Sequence, residues 1–327
     1  MDGYKSNCIS HRKCDIHAAA SWKRSLVLSC LIALVALVLG GLCVWTLFPR
    51  KVARLRAKIE HSVRMIEVRW HLPEEMKNIE SPLLVVRRDE HSYENPDFWI
   101  AHGGGIGEFV HTNCKEAVQD SLRRGFRFIE LDLLETSDGH LVGGHTWKEL
   151  RTLAGADAVN EAPMSRSEIE ALRTKWKKTI LFAEDICQLM QKNPEMILVT
   201  DKIQDFALLS KEVPFRERMI IEAFSCYGAL RAFQNGFHNV ALTAYSVHDL
   251  RNAQQYRIPG IVLYAPLIEE SAEALALVQQ LHQSGCCIMV HCASVCDKPD
   301  YVHRHLGKNI SRTYTNTWSP SAPPPQP

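Results

Sequence analysis

From about Pro96 onward the chain repeats one pattern. A short apolar, β-branched run is followed by a longer stretch in which apolar residues recur every three or four positions. The runs are FWIAH (98–102), RFIELDLL (127–134), EMILVTDKI (195–203), MIIEAFS (219–225), NVALTAYS (239–246), GIVLYAP (260–266), CCIMVHCA (286–293) and SRTYTNTW (311–318). Between them TNCKEAVQDSLRRG, AEDICQLMQKNP, CYGALRAFQNGF, SVHDLRNAQQYRI, SAEALALVQQLHQSG and YVHRHLGKN read as helices, several ending at Gly or before Pro. Strands that are apolar on both faces and alternate with helices form parallel sheets. Eight of them predict a (β/α)8 TIM barrel rather than an open doubly wound sheet, with chemistry at the carboxyl ends of the strands.

The pattern breaks at both ends of the chain. Ser25 to Phe48 is 24 residues without a charge. At about 1.5 Å per residue it is long enough to cross a bilayer core of about 30 Å. Trp22 and Trp45 suit the two interfaces, and Pro49-Arg50-Lys51 follows directly where a cleaved signal would end in small residues. The sequence therefore predicts an N-terminal transmembrane helix ahead of the barrel. Residues 49–95 read as a juxtamembrane helix and linker, with Val52, Leu55, Ile59 and Val63 at helical spacing among Arg and Lys. The expected layout is an N-terminal tail (1–24), the span (25–48), the linker (49–95), the barrel (96–318) and a Pro-rich tail (319–327). Basic residues flank the span almost equally. The short N-terminal tail favours an extracytoplasmic catalytic domain on a single-pass membrane protein.

Composition narrows the partners. A net charge of +1 gives no basic excess, so a nucleic-acid partner is not expected. Eleven cysteines leave an odd number in the body, and the run 286–296 lacks the C-x-x-C spacing of a zinc site. Most of these cysteines read as small buried hydrophobes.

The polar residues inside the apolar runs carry the candidate chemistry. Glu130 and Asp132 are two apart on one strand and share a face, while Ile129, Leu131 and Leu133 take the other. Two like charges on one face are costly unless a cation lies between them. Asp201 ends the third run, which makes three carboxylates at one mouth and an all-oxygen site for one divalent metal, Mg²⁺ or Ca²⁺. His102 ends the first run, and His145 follows the SDG turn after the second; both are placed to act as general acid and base. Glu222, mid-strand, faces either the mouth or the outside. His111 and His140 read as turn residues. An ion-pair network with Arg127 or lysines is the bland alternative for the acid pair.

The stretch from Ala101 to Trp147 resembles the signature of glycerophosphodiester phosphodiesterases, whose wider superfamily includes phosphatidylinositol-specific phospholipase C. His102, Asn113, Gly125, Glu130, Asp132, Thr136, Asp138, Gly139 and His145 occur in the family's order. The resemblance implies a barrel over residues 98–318, His102 and His145 as the acid/base pair, and a divalent metal on Glu130, Asp132 and a third-strand acid. It implies hydrolysis of a glycerophosphodiester, a phospholipid headgroup or a phosphodiester-linked glycan at the membrane. Two alternatives are a lyase that releases a cyclic phosphate and an inactive phosphodiester-binding barrel. The chain departs from the family at Gly103, where the phosphate arginine stands, at Thr112 and Thr146, and at Asp201-Lys202, which lacks the usual spacer. Lys202 and Trp318 are the expected substrate contacts.

Overall fold

The computed structural model describes residues 49–85, 95–153, 155, 161–173, 177–291, 298 and 309–322. The strands are β1 (Trp99–Ala101), β2 (Phe128–Glu135), β3 (Leu141–Gly143), β4 (Ile197–Asp201), β5 (Met219–Ala223), β6 (Val240–Ala244), β7 (Gly260–Tyr264), β8 (Cys287–His291) and β9 (Arg312–Thr315). All but β3 pair in parallel, and β1 pairs with both β2 and β9, which closes an eight-stranded barrel. Each of the eight apolar runs supplies one barrel strand. β3 is the addition: it folds back antiparallel on the end of β2, with Leu133 opposite Gly143.

Helices cover the outside: α2 (Lys115–Arg123), α3 (Trp147–Leu153), α4 (Arg166–Arg173), α5 (Ala183–Lys192), α6 (Phe206–Glu212), α7 (Cys226–Gln234), α8 (Val247–Tyr256), α9 (Pro266–Glu270) and α10 (Ala272–Gln283). Five of them lie within segments read as helices from the sequence. The starts of α2, α6, α7, α8 and α10 are capped: the side chains of Cys114, Asp205, Ser225, Ser246 and Ser271 each accept a backbone N–H of the first turn. The last expected helix, YVHRHLGKN, lies almost wholly outside the described residues.

Strand alternation sorts the core into two sets. Ile100, Phe128, Ile197, Val199, Ile220, Ala241, Val262, Cys287, Met289 and Tyr314 point inward and fill the barrel. Their neighbours on the opposite face, among them Ile129, Leu131, Leu198, Ile221, Leu242 and Val290, pack beneath the helices. Leu84 plugs the N-terminal end of the barrel against Gly260, and Ser81 and Leu83 bond to His238 and Asn239 there. This floor leaves the carboxyl-end mouth as the open end.

Helix α1 (Pro49–Glu75) spans the first part of the expected linker. The compact unit that holds the barrel begins at Ile66, earlier than the expected Pro96 boundary, because Val68 and Leu72 are fully buried in its core. No described helix is long and apolar enough to cross a membrane; the span expected at Ser25–Phe48 lies outside the described residues. Residues 323–327 of the Pro-rich tail lie outside them as well, while Ser319 and Ala322 form an isolated bridge. The five described cysteines, at 114, 187, 226, 286 and 287, are all unpaired, and all but Cys187 are buried.

Candidate active site

The inward row of each strand continues past its last apolar residue into polar ones. On β2, Phe128 belongs to the barrel filling, so Glu130 and Asp132 also point inward, 3% and 4% exposed. On β4 the same step from Ile197 through Val199 brings Asp201 beside Asp132, its register partner. One carboxylate oxygen from each of Glu130, Asp132 and Asp201 lies within 4.8 Å of the others. Glu222 follows Ile220 on β5, so the open question about its face is settled toward the mouth. These residues, with His102, His145, Lys202, Thr243, Tyr245, His291 and Tyr314, line a cavity of about 310 Å³.

Each acid is held differently. Glu130 Oε2 accepts the backbone N–H of Gly103 at 2.6 Å. Asp132 takes a two-point clamp from Asn113, whose Nδ2 donates to Oδ2 at 3.0 Å while its Oδ1 accepts the Asp132 N–H at 2.9 Å. Lys202 Nζ lies 3.1 Å from the other Asp132 oxygen. Tyr314 donates its hydroxyl to Glu222. Asp201 Oδ1 is buried without a partner. Arg127, the suspected ion-pair partner, faces away and pairs with Asp97 and Glu195.

Lys202 reaches the mouth through an unusual backbone. Adjacent strand residues face opposite ways, so Lys202 should turn from the side of Asp201. Its φ is +61°, and the Ile203 N–H bonds the Asp201 carbonyl at 2.7 Å across it. This three-residue turn reverses the chain and returns the lysine to Asp132. A left-handed lysine is uncommon, and such strain concentrates at functional sites.

At Gly103, where the sequence resemblance led to an expected arginine, the backbone leaves no room for a side chain. Gly103 has φ +56°, and a Cβ there would lie 2.6 Å from His111 Cα. The Glu108–Asn113 segment closes over this glycine, and the Asn113 N–H bonds its carbonyl at 2.9 Å. The cation in the cavity is Lys202, in the turn directly after β4. Gly103→Ala is expected to destabilise the protein by about 1–3 kcal/mol and to loosen the Glu130 contact; denaturant unfolding of the variant checks it.

The two candidate histidines share the cavity but not an environment. The half-buried His102 ring packs edge-on against His111, 4.3 Å away, and Tyr314, 5.7 Å away, and its buried Nδ1 has no partner. Burial, then the neighbouring His111, pushes its pKa down to about 4, against the pull of Asp132. His145 is half-exposed, with Nδ1 held 2.8 Å from Glu149 Oε2. The sequence reading missed His111 as a partner. It also missed the aromatic wall opposite, where Tyr245, Tyr264 and His291 lie with rings 5.4–5.7 Å apart. Trp318, expected to touch substrate, is instead half-buried against the barrel core and is absent from the cavity lining.

The donor set fits a hard divalent cation. Four carboxylates face one cavity with one lysine among them, and one carboxylate oxygen has no donor. Burial, then Glu222 and Asp132, raises Asp201 from 3.8 to about 9; burial also raises Glu222 to about 7 and Glu130 well above its usual value. For Asp132, burial pushes upward, but Lys202 and Asn113 prevail and hold it low. Without metal Asp201, Glu222 and Glu130 hold more protons folded than unfolded between pH 3.8 and about 9, against His102 and His291, which hold fewer between about 4 and 6.5. The stability from the acids is fully present below the lower value and is lost as pH rises through the upper one. In chelator, the melting temperature is expected to fall from pH 5 to pH 9, and the rise produced by added Mg²⁺ or Ca²⁺ to grow over the same range. Thermal scans at matched ionic strength check both.

An all-parallel eight-stranded barrel with an acidic mouth is a TIM barrel in the arrangement that places chemistry at the strand ends. No family model matches the chain, and no curated protein sequence matches it. Solved structures do share its fold. A glycerophosphodiester phosphodiesterase from Thermotoga maritima superposes with a TM-score of 0.55 at 18% identity, over 67% of this chain and 94% of its own. One from Parabacteroides distasonis gives 0.54 at 14%, over 67% and 92%. A phosphodiesterase from Oleispira antarctica, solved with the product sn-glycerol-3-phosphate, gives 0.53 at 12%, over 67% and 92%. At these identities the likeness establishes the barrel fold.

Proposed function

We propose that the chain is a membrane-anchored, metal-dependent phosphodiesterase that hydrolyses a glycerophosphodiester, a phospholipid headgroup or a phosphodiester-linked glycan. The observation that carries this reading is the convergence of Glu130, Asp132, Asp201, Lys202, His102 and His145 on one cavity. The shared fold with phosphodiesterases supports it. The uncharged segment Ser25–Phe48 supports the anchor, with the barrel on the extracytoplasmic side.

Glu130, Asp132 and Asp201 would hold one Mg²⁺ or Ca²⁺, which supplies charge stabilisation to the phosphate oxygens. Lys202, fixed by Asp132, adds a positive charge where the family arginine is lacking. His102, half-buried and neutral, accepts the proton of the attacking water or hydroxyl. His145, with Nδ1 bound to Glu149, presents Nε2 to give a proton to the departing alkoxide. Tyr314 donates its hydroxyl to Glu222 at the cavity wall.

The test uses the full-length protein on bis(p-nitrophenyl) phosphate and glycerophosphodiesters, with Mg²⁺, Mn²⁺ or Ca²⁺ and after chelation, beside Glu130→Ala. Metal-dependent turnover that disappears in the variant supports the reading. A folded protein that turns over no diester with any metal overturns it. A persistent cyclic phosphate in phosphorus NMR would reassign the chain as a lyase.

A further inference from the structure

Helix α1 carries two opposite faces. Val68 and Leu72, on one, are fully buried in the barrel's core. At about 3.6 residues per turn, Ile59, Val63, Ile66 and Trp70 fall on the other, within about 60° of one another. They are 55%, 49%, 55% and 76% exposed. Half of the large apolar side chains that stand exposed among the described residues are in this row, and an apolar row of that kind marks a binding face.

The spacing points to what covers it. Steps of four, three and four are those of a coiled-coil seam, with Val63 and Trp70 at a positions and Ile59 and Ile66 at d. Arg56 takes the a position before them, and Pro73 the d position that closes the seam. The e positions beside the seam are Glu60, Glu67 and Glu74, all acidic, whereas Ser62 and Arg69 at g carry no acid. In an antiparallel pair of such helices e faces e, and the row of glutamates would meet its own copy. In a parallel pair g faces the e of the next heptad, which sets Arg69 against Glu74 of a second copy and Ser62 against its Glu67. Within one chain Glu60 pairs with Arg56 and Glu74 with Lys77, but these contacts are exposed and weak enough to be exchanged. An anionic bilayer surface would meet the same three glutamates and be repelled.

We propose that α1 pairs with the same helix of a second copy of this chain as a short parallel coiled coil, through Ile59, Val63, Ile66 and Trp70. Val68 and Leu72 stay packed in the barrel's core, because they lie on the opposite face. The pairing is independent of the chemistry at the mouth. About two heptads make a short seam for a free-standing coiled coil. Two N-terminal anchors in one bilayer would impose the same parallel sense and raise the effective concentration of one helix for the other.

The experiment oxidises the full-length protein carrying Ile66→Cys in phosphatidylcholine vesicles. A d position meets its own copy only in a parallel pair, so this variant should form a disulfide-linked dimer well above the background set by the parent's own cysteines. His61→Cys, on the opposite face of the helix, should stay at that background. Sedimentation in detergent supplies a second readout. Ile59→Asp combined with Ile66→Asp should raise the dimer dissociation constant about 10²-fold or more. The melting temperature of the barrel should not change, since both positions are exposed. Arg69→Glu should weaken the dimer, and Glu74→Arg added to the same chain should restore it. A protein that is monomeric throughout, with Ile66→Cys linked no better than His61→Cys, overturns the pair. Quenching by brominated lipid that is lost in Trp70→Phe would then assign the row to the bilayer surface. A dimer that survives the double aspartate variant also overturns the proposal, because its contact lies elsewhere.

Discussion

Glu130→Gln is expected to lower turnover by roughly 10³-fold or more while leaving a protein that is at least as stable as its parent when metal is absent. Loss of one metal ligand removes several kcal/mol of charge stabilisation, and each 1.36 kcal/mol is about tenfold in rate. The stability result follows from the site's own crowding. Glu130 is buried beside Asp132, Asp201 and Glu222, and those neighbours together with burial keep its carboxyl protonated well above the usual range. Glutamine has the same shape, and its oxygen can still accept the Gly103 N–H that Glu130 accepts at 2.6 Å. At pH 5 the variant should therefore melt with the parent. At pH 9, where the parent bears the repulsion, it should melt higher. The Mg²⁺- or Ca²⁺-induced rise in melting temperature should shrink sharply. A variant that unfolds early at both pH values, or that keeps the full metal response, would show Glu130 to be a structural acid.

How much of this was legible in the sequence depends on how local each feature is. The eight strands were, because each is a short β-branched run set off by helical periodicity, and period-two alternation alone put Glu130 and Asp132 on one face. The same alternation could have found more of the site. Extending the inward row by one or two steps reaches Glu222 from Ile220, Tyr245 from Ala241 and His291 from Met289, which line the cavity, and Tyr264 from Val262, which packs on the last two. What alternation cannot give is a residue that breaks it. Lys202 enters the mouth only through a left-handed turn, and His111 meets His102 only because a loop closes over Gly103. Both depend on backbone conformations that residue type does not announce. The barrel's floor was missed for a related reason: Leu84 lies in a segment whose composition reads as linker, and its role comes from contact with the distant Gly260. Trp318 fell to the opposite error, since a position near a strand end does not fix which way the side chain packs.

Replacing His145 with alanine is expected to separate substrates by the alcohol they release. His145 borders the reaction cavity, with Glu149 fixing Nδ1 at 2.8 Å, so its Nε2 is the ring atom free to serve the departing oxygen. An alkoxide leaves poorly without a proton, whereas p-nitrophenolate leaves readily without one. Turnover of a glycerophosphodiester should fall by about 10²–10⁴-fold in His145→Ala, with a far smaller loss on bis(p-nitrophenyl) phosphate. His102→Ala should behave differently. His102 is half-buried, its pKa is pushed down to about 4 by desolvation and by His111, and its neutral ring takes a proton from the nucleophile whatever group departs. Its loss should depress both substrates alike. Glu149→Gln should fall between, because the ring keeps a hydrogen-bond partner but loses the carboxylate that orients Nδ1. Steady-state kinetics of the three variants on the two substrates read the assignment directly. Equal losses on both substrates in His145→Ala would remove it as the acid, and a leaving-group-dependent loss in His102→Ala would exchange the two roles.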